Sequence, residues 1–573
     1  MKIPYKYIRE SIEENPSIND ISEKLFQLGH EHEIVDDIFD LEITPNRGDC
    51  LSLNGILRDL NVFYKVNQNE DLYNGAIEKF ELEFENFTPE FCHKISFLKI
   101  EISKEISEYK GVLKNYFNDL DLTKNNFFTD ISNYLMFETG QPTHCYDANK
   151  VQGKISLKEI DYDLDFETLL GKKIKLTQKN KVFFANGDPI NLAGIMGGKN
   201  SSCSIDTSSI ILECAYFAPE EIMGKAVKYD INSEAAHKFE RGVDPLLHDK
   251  AIRRFIQIVK EHAGIESIML FSDNYIEHKP ITIPFDHNKI NNIIGTSISK
   301  NEYFRYLDRL GFEVKNELVT VPSYRNDILA QNDLAEEIAR VIGYDNISPS
   351  QISIPKNKNT NHKSIENKLR YFLSDHGFYE VINSPFVRQC SEDAIKVDNP
   401  LDSNREFLRT NITNSLVDNL LFNERRQKDS IKLFEISDIY TYRNNQINKT
   451  RKLAIIASGR AGHNYEDFSK KINKEYLTKV FNKALPSENF NFKIINRDSL
   501  STKIKNEIVV SENNINSFSS QLLDYNQKVK SPEKFRQYSP ISELPYSKRD
   551  ISFSVKEYQN CKRLENYIFQ FKD

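Results

Sequence analysis

The sequence predicts a multidomain α+β protein, and three observations carry that prediction. At 573 residues the chain is long enough for about four domains at the usual ~150 residues each. With 39% hydrophobic and 28% charged residues it can bury several cores but is too polar to be embedded in a membrane. The hydrophobic pattern changes along the chain, from helical spacing to alternating strands and then to mixed helix and strand.

The first 75 or so residues read as helix, short β segment and helix: Leu53, Ile56, Leu57 and Leu60 recur at helical spacing after a strand exit marked by Pro45, Asn46 and Gly48. From 76 to 275, segments such as KISLKEI, KIKL, KVFFA and SSIILECAYF predict a β-rich domain of about 200 residues. Between 276 and 349, Ile290, Ile293 and Ile294 suggest a short helix. Ser299 with Glu302 forms a capping box for a second helix that Gly311 stops. FEV and LVTVPS then read as a two-stranded hairpin, and Leu334, Ile338, Val341 and Ile342 as the apolar face of a closing helix, a winged-helix-like arrangement. After the polar linker SIPKNKNTNHKS, residues 364–530 predict an α/β domain around a sheet. The strand DISFSV and a final helix cannot bury their apolar faces alone.

Composition narrows the function classes. The net charge of −8 argues against a globally basic nucleic-acid coat, though a local patch stays open. No stretch approaches the ~20 apolar residues of a membrane-spanning helix, and MKIPYKYIRE has no secretory h-region. Seven cysteines, at 50, 92, 145, 203, 214, 390 and 561, form no CxxC, so a reduced, cytoplasmic compartment is expected.

Two constellations can carry chemistry. Asp327, Asp333, Glu336 and Glu337 cluster around the closing helix, with Asp333, Glu336, Glu337 and Arg340 expected on the face opposite the apolar stripe. Oxygen ligands in that number suit Mg²⁺, while a capping box and a Glu336–Arg340 pair explain the same residues without a metal. In the β-rich domain, His144 follows a Gly-Gln-Pro turn, AGIMGG supplies Ala193, Gly194, Gly197 and Gly198, and Glu213 stands in an apolar run. A carboxylate there is either used for recognition or paired with something like Arg241. No Walker loop, GxSxG, HExxH or dense Cys/His cluster is present.

EITPNRGDCLSLNGILRDL, SNYLMFETGQPTHCYD, NLAGIMGG, ILECAYF, EAAHKFERGVDP, SYRNDILAQNDLAEEIARVIGYD, FLRTNITNSLVDNL and ISELPYSKRDISFSV follow one another in this order. Together they resemble the beta subunits of bacterial phenylalanyl-tRNA synthetases over essentially the whole chain. The resemblance implies an N-terminal α/β domain (1–75), an editing domain (76–275), a winged-helix-like domain (276–349), a class II synthetase-like α/β domain with an antiparallel sheet but without its working residues (350–530), and a partial ferredoxin-like anticodon-binding domain (531–573). Lys548 and Arg549 would be tRNA contacts.

It further implies a catalytic alpha subunit as partner in an α2β2 heterotetramer, tRNA(Phe) as a second partner and ATP as a substrate of the complex. Asp327, Asp333, Glu336 and Glu337 fall on positions for Mg²⁺ shared with the alpha subunit. His144 and Glu213 would carry hydrolysis of mischarged Tyr-tRNA(Phe), and Ser132, Ala193 and Gly194 would bind the substrate, Ser132 standing where threonine is usual. Two departures follow: LGHEHEIVDDIFDLEITPNRGDC passes over the place where an oligonucleotide-binding barrel is usually inserted, and the C-terminal domain is cut short. The competing expectations are a free-standing Tyr-tRNA(Phe) deacylase and a non-catalytic tRNA-binding or assembly scaffold.

Overall fold

The N-terminal chain forms a three-stranded antiparallel sheet in the order Lys2–Pro4, Ile38–Glu42, Glu31–Val35. Helices Ile18–Gln27 and Leu53–Leu60 contribute buried faces to the same core. Each helix starts at a serine cap, Ser17 with Asp20 and Ser52 with the Gly55 amide. The last two strands are joined at Asp36 and Asp37, both at positive φ (51° and 61°). They are thus linked directly by a two-residue turn.

The structure is a computed structural model. It describes the chain except residues 68–70, 104, 105, 107, 350, 352–363, 389, 390, 463–468, 499, 501–503, 526–536, 543, 545–561 and 571–573. Two compact units result, Met1–Ser353 and Ile354–Asp573. The expected ferredoxin-like segment, with Lys548 and Arg549, lies outside the described residues apart from a few positions and the helix Lys562–Phe569.

The first unit is built around the long strands Cys92–Ile102 and Ser209–Phe217, neighbours in a five-stranded sheet that ends on Thr143–Asp147. Ser209–Phe217 is buried on both faces, which is why it reads as a nearly continuous apolar run. Ile95, Phe97, Ile211 and Ala215 join a core with Val182, Phe183 and Leu192 of a second five-stranded sheet. Their neighbours Leu98, Ile100, Leu212 and Cys214 join Phe128, Ile131 and Phe255 of helices Phe127–Thr139 and His248–His262. One sheet therefore separates a β-lined core from a helix-lined one.

Residues 282–342 form three helices, His287–Ile294, Lys300–Arg309 and Gln331–Ile342, with a three-stranded sheet ordered Thr282–Pro284, Leu318–Thr320, Glu313–Lys315. The Ser299–Glu302 capping box is present. The third strand, only three residues ending in Pro284, carries no period the sequence reading could detect.

The second unit holds a five-stranded sheet in the order Tyr379–Glu380, Ser430–Arg443, Gln446–Gly459, Ile508–Asn514, Lys493–Ile495, antiparallel except for its first pair. Its two fourteen-residue strands turn at Asn444 and Asn445, both at positive φ. Helices Ile365–Asp375 and Lys474–Ala484 bury Phe372 and Phe481 against one face, and Thr413–Glu424 buries Leu416 and Leu420 against the other. The observed class is a mixed α and β protein with several sheets. No helix among the described residues is long and apolar enough to cross a membrane.

Candidate functional site

Glu213 and His144 are direct partners on neighbouring antiparallel strands, so their side chains leave the same face of the sheet. That face looks into the β-lined core. Glu213 is buried, and its Oε2 accepts hydrogen bonds from the Tyr146 hydroxyl and from Asn191 Nδ2 at 3.1 Å. Asn191 Nδ2 also lies 2.9 Å from the Tyr146 hydroxyl oxygen. Burial pushes the Glu213 carboxyl up to about 7, although both neighbours favour its charged form.

His144 packs edge-on against Tyr146, with ring centroids 4.6 Å apart. Its Nε2 is buried without a hydrogen-bond partner, and burial lowers the ring to about 4, so the imidazole is neutral at pH 7. A Cβ on Gly197 would fall 2.2 Å from His144 Cε1 and 2.5 Å from Nε2, so the ring occupies the space a side chain there would need. Gly197 is itself the register partner of Asn191. Glu213, Asn191, Gly197 and His144 thus form a closed set drawn from both sheets.

The other expected pocket residues are placed differently. Ala193 is buried and Gly194 takes φ +70° in the turn that follows the Asn191 strand. A Cβ on Gly194 would fall 2.7 Å from Ile222 Cδ1 and 2.9 Å from Phe217 Cδ2, so the room it leaves is filled by core side chains. Ser132 stands apart. Its hydroxyl is 3.2 Å from Cys145 Sγ, and Cys145, next to His144 in the strand, points to the helix-lined face. Arg241 does not pair with Glu213; it donates to the carbonyl of Ile43 at 2.9 Å. The reading missed Tyr146 and Asn191. The signal was available: Tyr146 is two residues from His144 on an alternating strand, hence on its face.

The acidic cluster does not converge. Glu337 is buried, each of its oxygens bonded by Arg325 at 2.7 Å, with Arg340 adding bonds at 3.0 and 2.5 Å. Asp327 gives both oxygens to Arg325, at 2.8 and 2.9 Å. Asp333 Oδ2 accepts from the Leu329 and Ala330 amides at 2.8 Å each, capping the helix start, and Glu336 is exposed. The expected placement of Glu337 and Arg340 opposite the apolar stripe is therefore corrected. Both are buried beside Leu334, Ile338 and Val341, because guanidinium partners make a carboxylate tolerable there. Burial alone would raise Glu337, yet Arg340 and Arg325 hold it at about 2.

The network continues to the helix Leu53–Leu60 and the segment before it. Arg340 bonds Asp59 at 2.8 and 3.1 Å, and Arg47 bonds Asp59 at 2.9 and 3.1 Å and Asp49 at 2.9 and 3.0 Å. His30 Nε2 is 2.8 Å from Asp59. Among the described residues, His30, Cys50 and Asp59 have ligand-type atoms within 4.8 Å of one another, but Arg47 and Arg340 already supply the cations there. The residues present do not fit Mg²⁺ at the expected four positions, since guanidinium groups hold the oxygens of two of them and a third caps a helix.

Three family models match the chain: the B3/4 domain over residues 92–264, the tRNA synthetase B5 domain over 283–344 and the phenylalanyl tRNA synthetase beta chain CLM domain over 348–518. Among curated relatives, the phenylalanine–tRNA ligase beta subunit of Legionella pneumophila (strain Lens) is 28% identical, covering 93% of this chain and 72% of that protein. The beta subunit of Francisella tularensis (strain SCHU S4) is 28% identical over 74% of this chain and 56% of its own length. That of Psychrobacter arcticus is 30% identical over 74% and 55%. The chain thus spans from about half to about three quarters of the relatives it matches. A solved N-terminal fragment of the Pyrococcus horikoshii phenylalanyl-tRNA synthetase beta-subunit is similar at 12% identity and TM-score 0.35, covering 60% of this chain and 99% of that one.

Domains of these three kinds in this order define a component of an aminoacyl-tRNA synthetase. The chain belongs to the phenylalanyl-tRNA synthetase beta-subunit family.

Proposed function

We propose that the chain works with a catalytic alpha subunit, in an α2β2 assembly in the cytoplasm, to attach phenylalanine to tRNA(Phe) with ATP, and that it hydrolyses mischarged Tyr-tRNA(Phe) itself. In this reading residues 276–349 act as a winged-helix-like domain, 350–530 as a class II-like domain that packs on alpha, and the adenylate chemistry belongs to alpha. No step is assigned to Mg²⁺ at Asp327, Asp333, Glu336 and Glu337.

The observation that carries the editing half is the buried Glu213 carboxyl facing the partnerless Nε2 of His144 across one register pair. Tyrosine differs from phenylalanine only by a hydroxyl. A buried hydrogen-bonding group rejects a ligand that leaves it unpaired far better than shape does, by about 10⁴–10⁵ in favourable cases. Glu213 would receive the phenol, with Tyr146 and Asn191 positioning it. Neutral His144 would orient the attacking water or the ester through Nε2. Ala193 and Gly194 would shape the turn beside the pocket; Ser132 would act only through Cys145 from the opposite face.

The test is purification with a candidate alpha subunit, followed by assays of Phe-tRNA synthesis and of Tyr-tRNA(Phe) hydrolysis. A stable heteromer that makes Phe-tRNA, with hydrolysis lost in Glu213→Ala, is expected. Absence of both heteromer and synthesis defeats the subunit reading; hydrolysis unchanged in Glu213→Ala defeats the pocket.

A further inference from the structure

The side chains of Glu213, Asn191 and Tyr146 share three donor hydrogens, the O–H of Tyr146 and the two N–H groups of the Asn191 amide. All three are spent inside the cluster. Tyr146 donates to Glu213 Oε2, one Asn191 N–H donates to the same oxygen at 3.1 Å, and the other donates to the Tyr146 hydroxyl at 2.9 Å. The orientation of the amide follows, because an ionised carboxylate only accepts.

The acceptors are not spent. Glu213 Oε1 and Asn191 Oδ1 take no hydrogen bond among the described residues, and neither is shut off from solvent as His144 Nε2 is. Glu213 and Asn191 are each 4% exposed, whereas Tyr146 is fully buried. What the cluster still offers a ligand is therefore acceptor oxygen alone. Both residues flank the His144 ring: Glu213 is the register partner of His144, and Asn191 is the register partner of Gly197, whose missing side chain leaves that ring its space.

We propose that this site selects aminoacyl esters by a hydrogen-bond donor on the aromatic ring, so that ring amines are substrates beside phenols and rings of the same size without a donor are spared. The inference rests on the hydrolytic role proposed above for Glu213 and His144 and defines what that role recognises. A phenol O–H or an aniline N–H would meet Glu213 Oε1. A ring bearing only hydrogen or fluorine would displace water from that oxygen and give it no donor in return. Shape does not make this distinction, because fluorine and hydroxyl are close in size.

The test uses the full chain purified with alpha, and tRNA(Phe) acylated chemically with tyrosine, 4-aminophenylalanine, 4-fluorophenylalanine or phenylalanine. Hydrolysis is followed at about pH 8, because burial lifts the Glu213 carboxyl to about 7 and only the ionised form is a pure acceptor. The 4-amino ester is expected within tenfold of the tyrosyl ester in kcat/KM. The 4-fluoro ester should fall with the phenylalanyl ester, at least tenfold below. In Glu213→Gln the oxygen must stay toward Tyr146 and Asn191, so the amide turns its NH2 to the open side and presents a donor. The ratio of tyrosyl to 4-fluoro hydrolysis should then drop at least tenfold, with circular dichroism confirming the fold.

The wild-type comparison needs no variant. A 4-fluoro ester cleaved as fast as the tyrosyl ester, or a 4-amino ester spared while the tyrosyl ester is cleaved, overturns this inference and leaves the hydrolytic role standing. An unchanged ratio in folded Glu213→Gln also overturns it. Cleavage of none of the four esters overturns both.

Discussion

Arg340 Nη1 stands 2.8 Å from Asp59 Oδ2 although 281 residues separate them. That contact fastens the closing helix of the 282–342 module to the helix Leu53–Leu60, inside a network in which Arg47, Arg325 and Arg340 serve Asp49, Asp59, Asp327 and Glu337. Breaking one partner of a buried ion pair costs about 3–5 kcal/mol, because the charge left behind stays desolvated. Arg340→Met is expected to lower the stability of the first unit by that order, read as a reduced urea midpoint. A loss under about 1 kcal/mol would show that the network relaxes and that Arg47 and Arg325 suffice.

The same network sets an expectation for metal. With the oxygens of Glu337 and Asp327 engaged by guanidinium groups, millimolar Mg²⁺ should leave the melting temperature of the chain unchanged, and EDTA should not lower it. Glu337→Gln should destabilise strongly, and exposed Glu336→Gln should stay within about 0.5 kcal/mol. Mg²⁺-dependent stabilisation abolished by Asp333→Ala with Glu336→Ala would restore the metal site that the four carboxylates suggest in the sequence.

Glu213 and His144 should impose opposite pH dependences. The Glu213 pKa is raised from 4.5 to about 7 in the fold, so its contribution is present below about 4.5 and is lost as pH rises through about 7. His144 is lowered from 6.5 to about 4, so its contribution is present above about 6.5 and is lost as pH falls through about 4. Relative to Glu213→Gln, the wild-type chain should therefore lose stability between pH 4.5 and 7, on the order of 2–3 kcal/mol. Parallel profiles for the two proteins across that window would mean that the carboxyl titrates normally.

The contrast between the two centres says what the sequence could reveal. The apolar run SSIILECAYF, the Ser299–Glu302 cap and the apolar stripe Leu334, Ile338, Val341 are local patterns, and each appears as an element in its expected place. Glu337 was misplaced because a carboxylate at helical spacing looks solvent-facing until its partners are known. Arg325 and, through Arg340, Asp59 are supplied by other segments. Ser132 was grouped with His144 by the family resemblance, whereas the alternation of one strand sends Cys145, which Ser132 touches, to the opposite face. The Asn191 bond to Glu213 depends on two sheets packing face to face, information no single segment contains.

Gly197 offers the sharpest test of His144, because it reaches the ring without altering a polar group. In Gly197→Ala the new methyl would stand 2.2 Å from His144 Cε1, so the imidazole must move. The buried ring sits on Thr143–Asp147, the edge strand of its sheet, so the rearrangement should stay local and the chain should still fold and still support Phe-tRNA synthesis with alpha. Displacing Nε2 from its position opposite Glu213 should reduce Tyr-tRNA(Phe) hydrolysis at least tenfold, about 1.4 kcal/mol in the barrier. If His144 acts on the reacting ester, kcat falls. If it only lines the pocket, KM rises while kcat holds. Unchanged hydrolysis in a folded Gly197→Ala protein would remove His144 from the reaction and leave Glu213 with Tyr146 and Asn191 as a buried structural cluster.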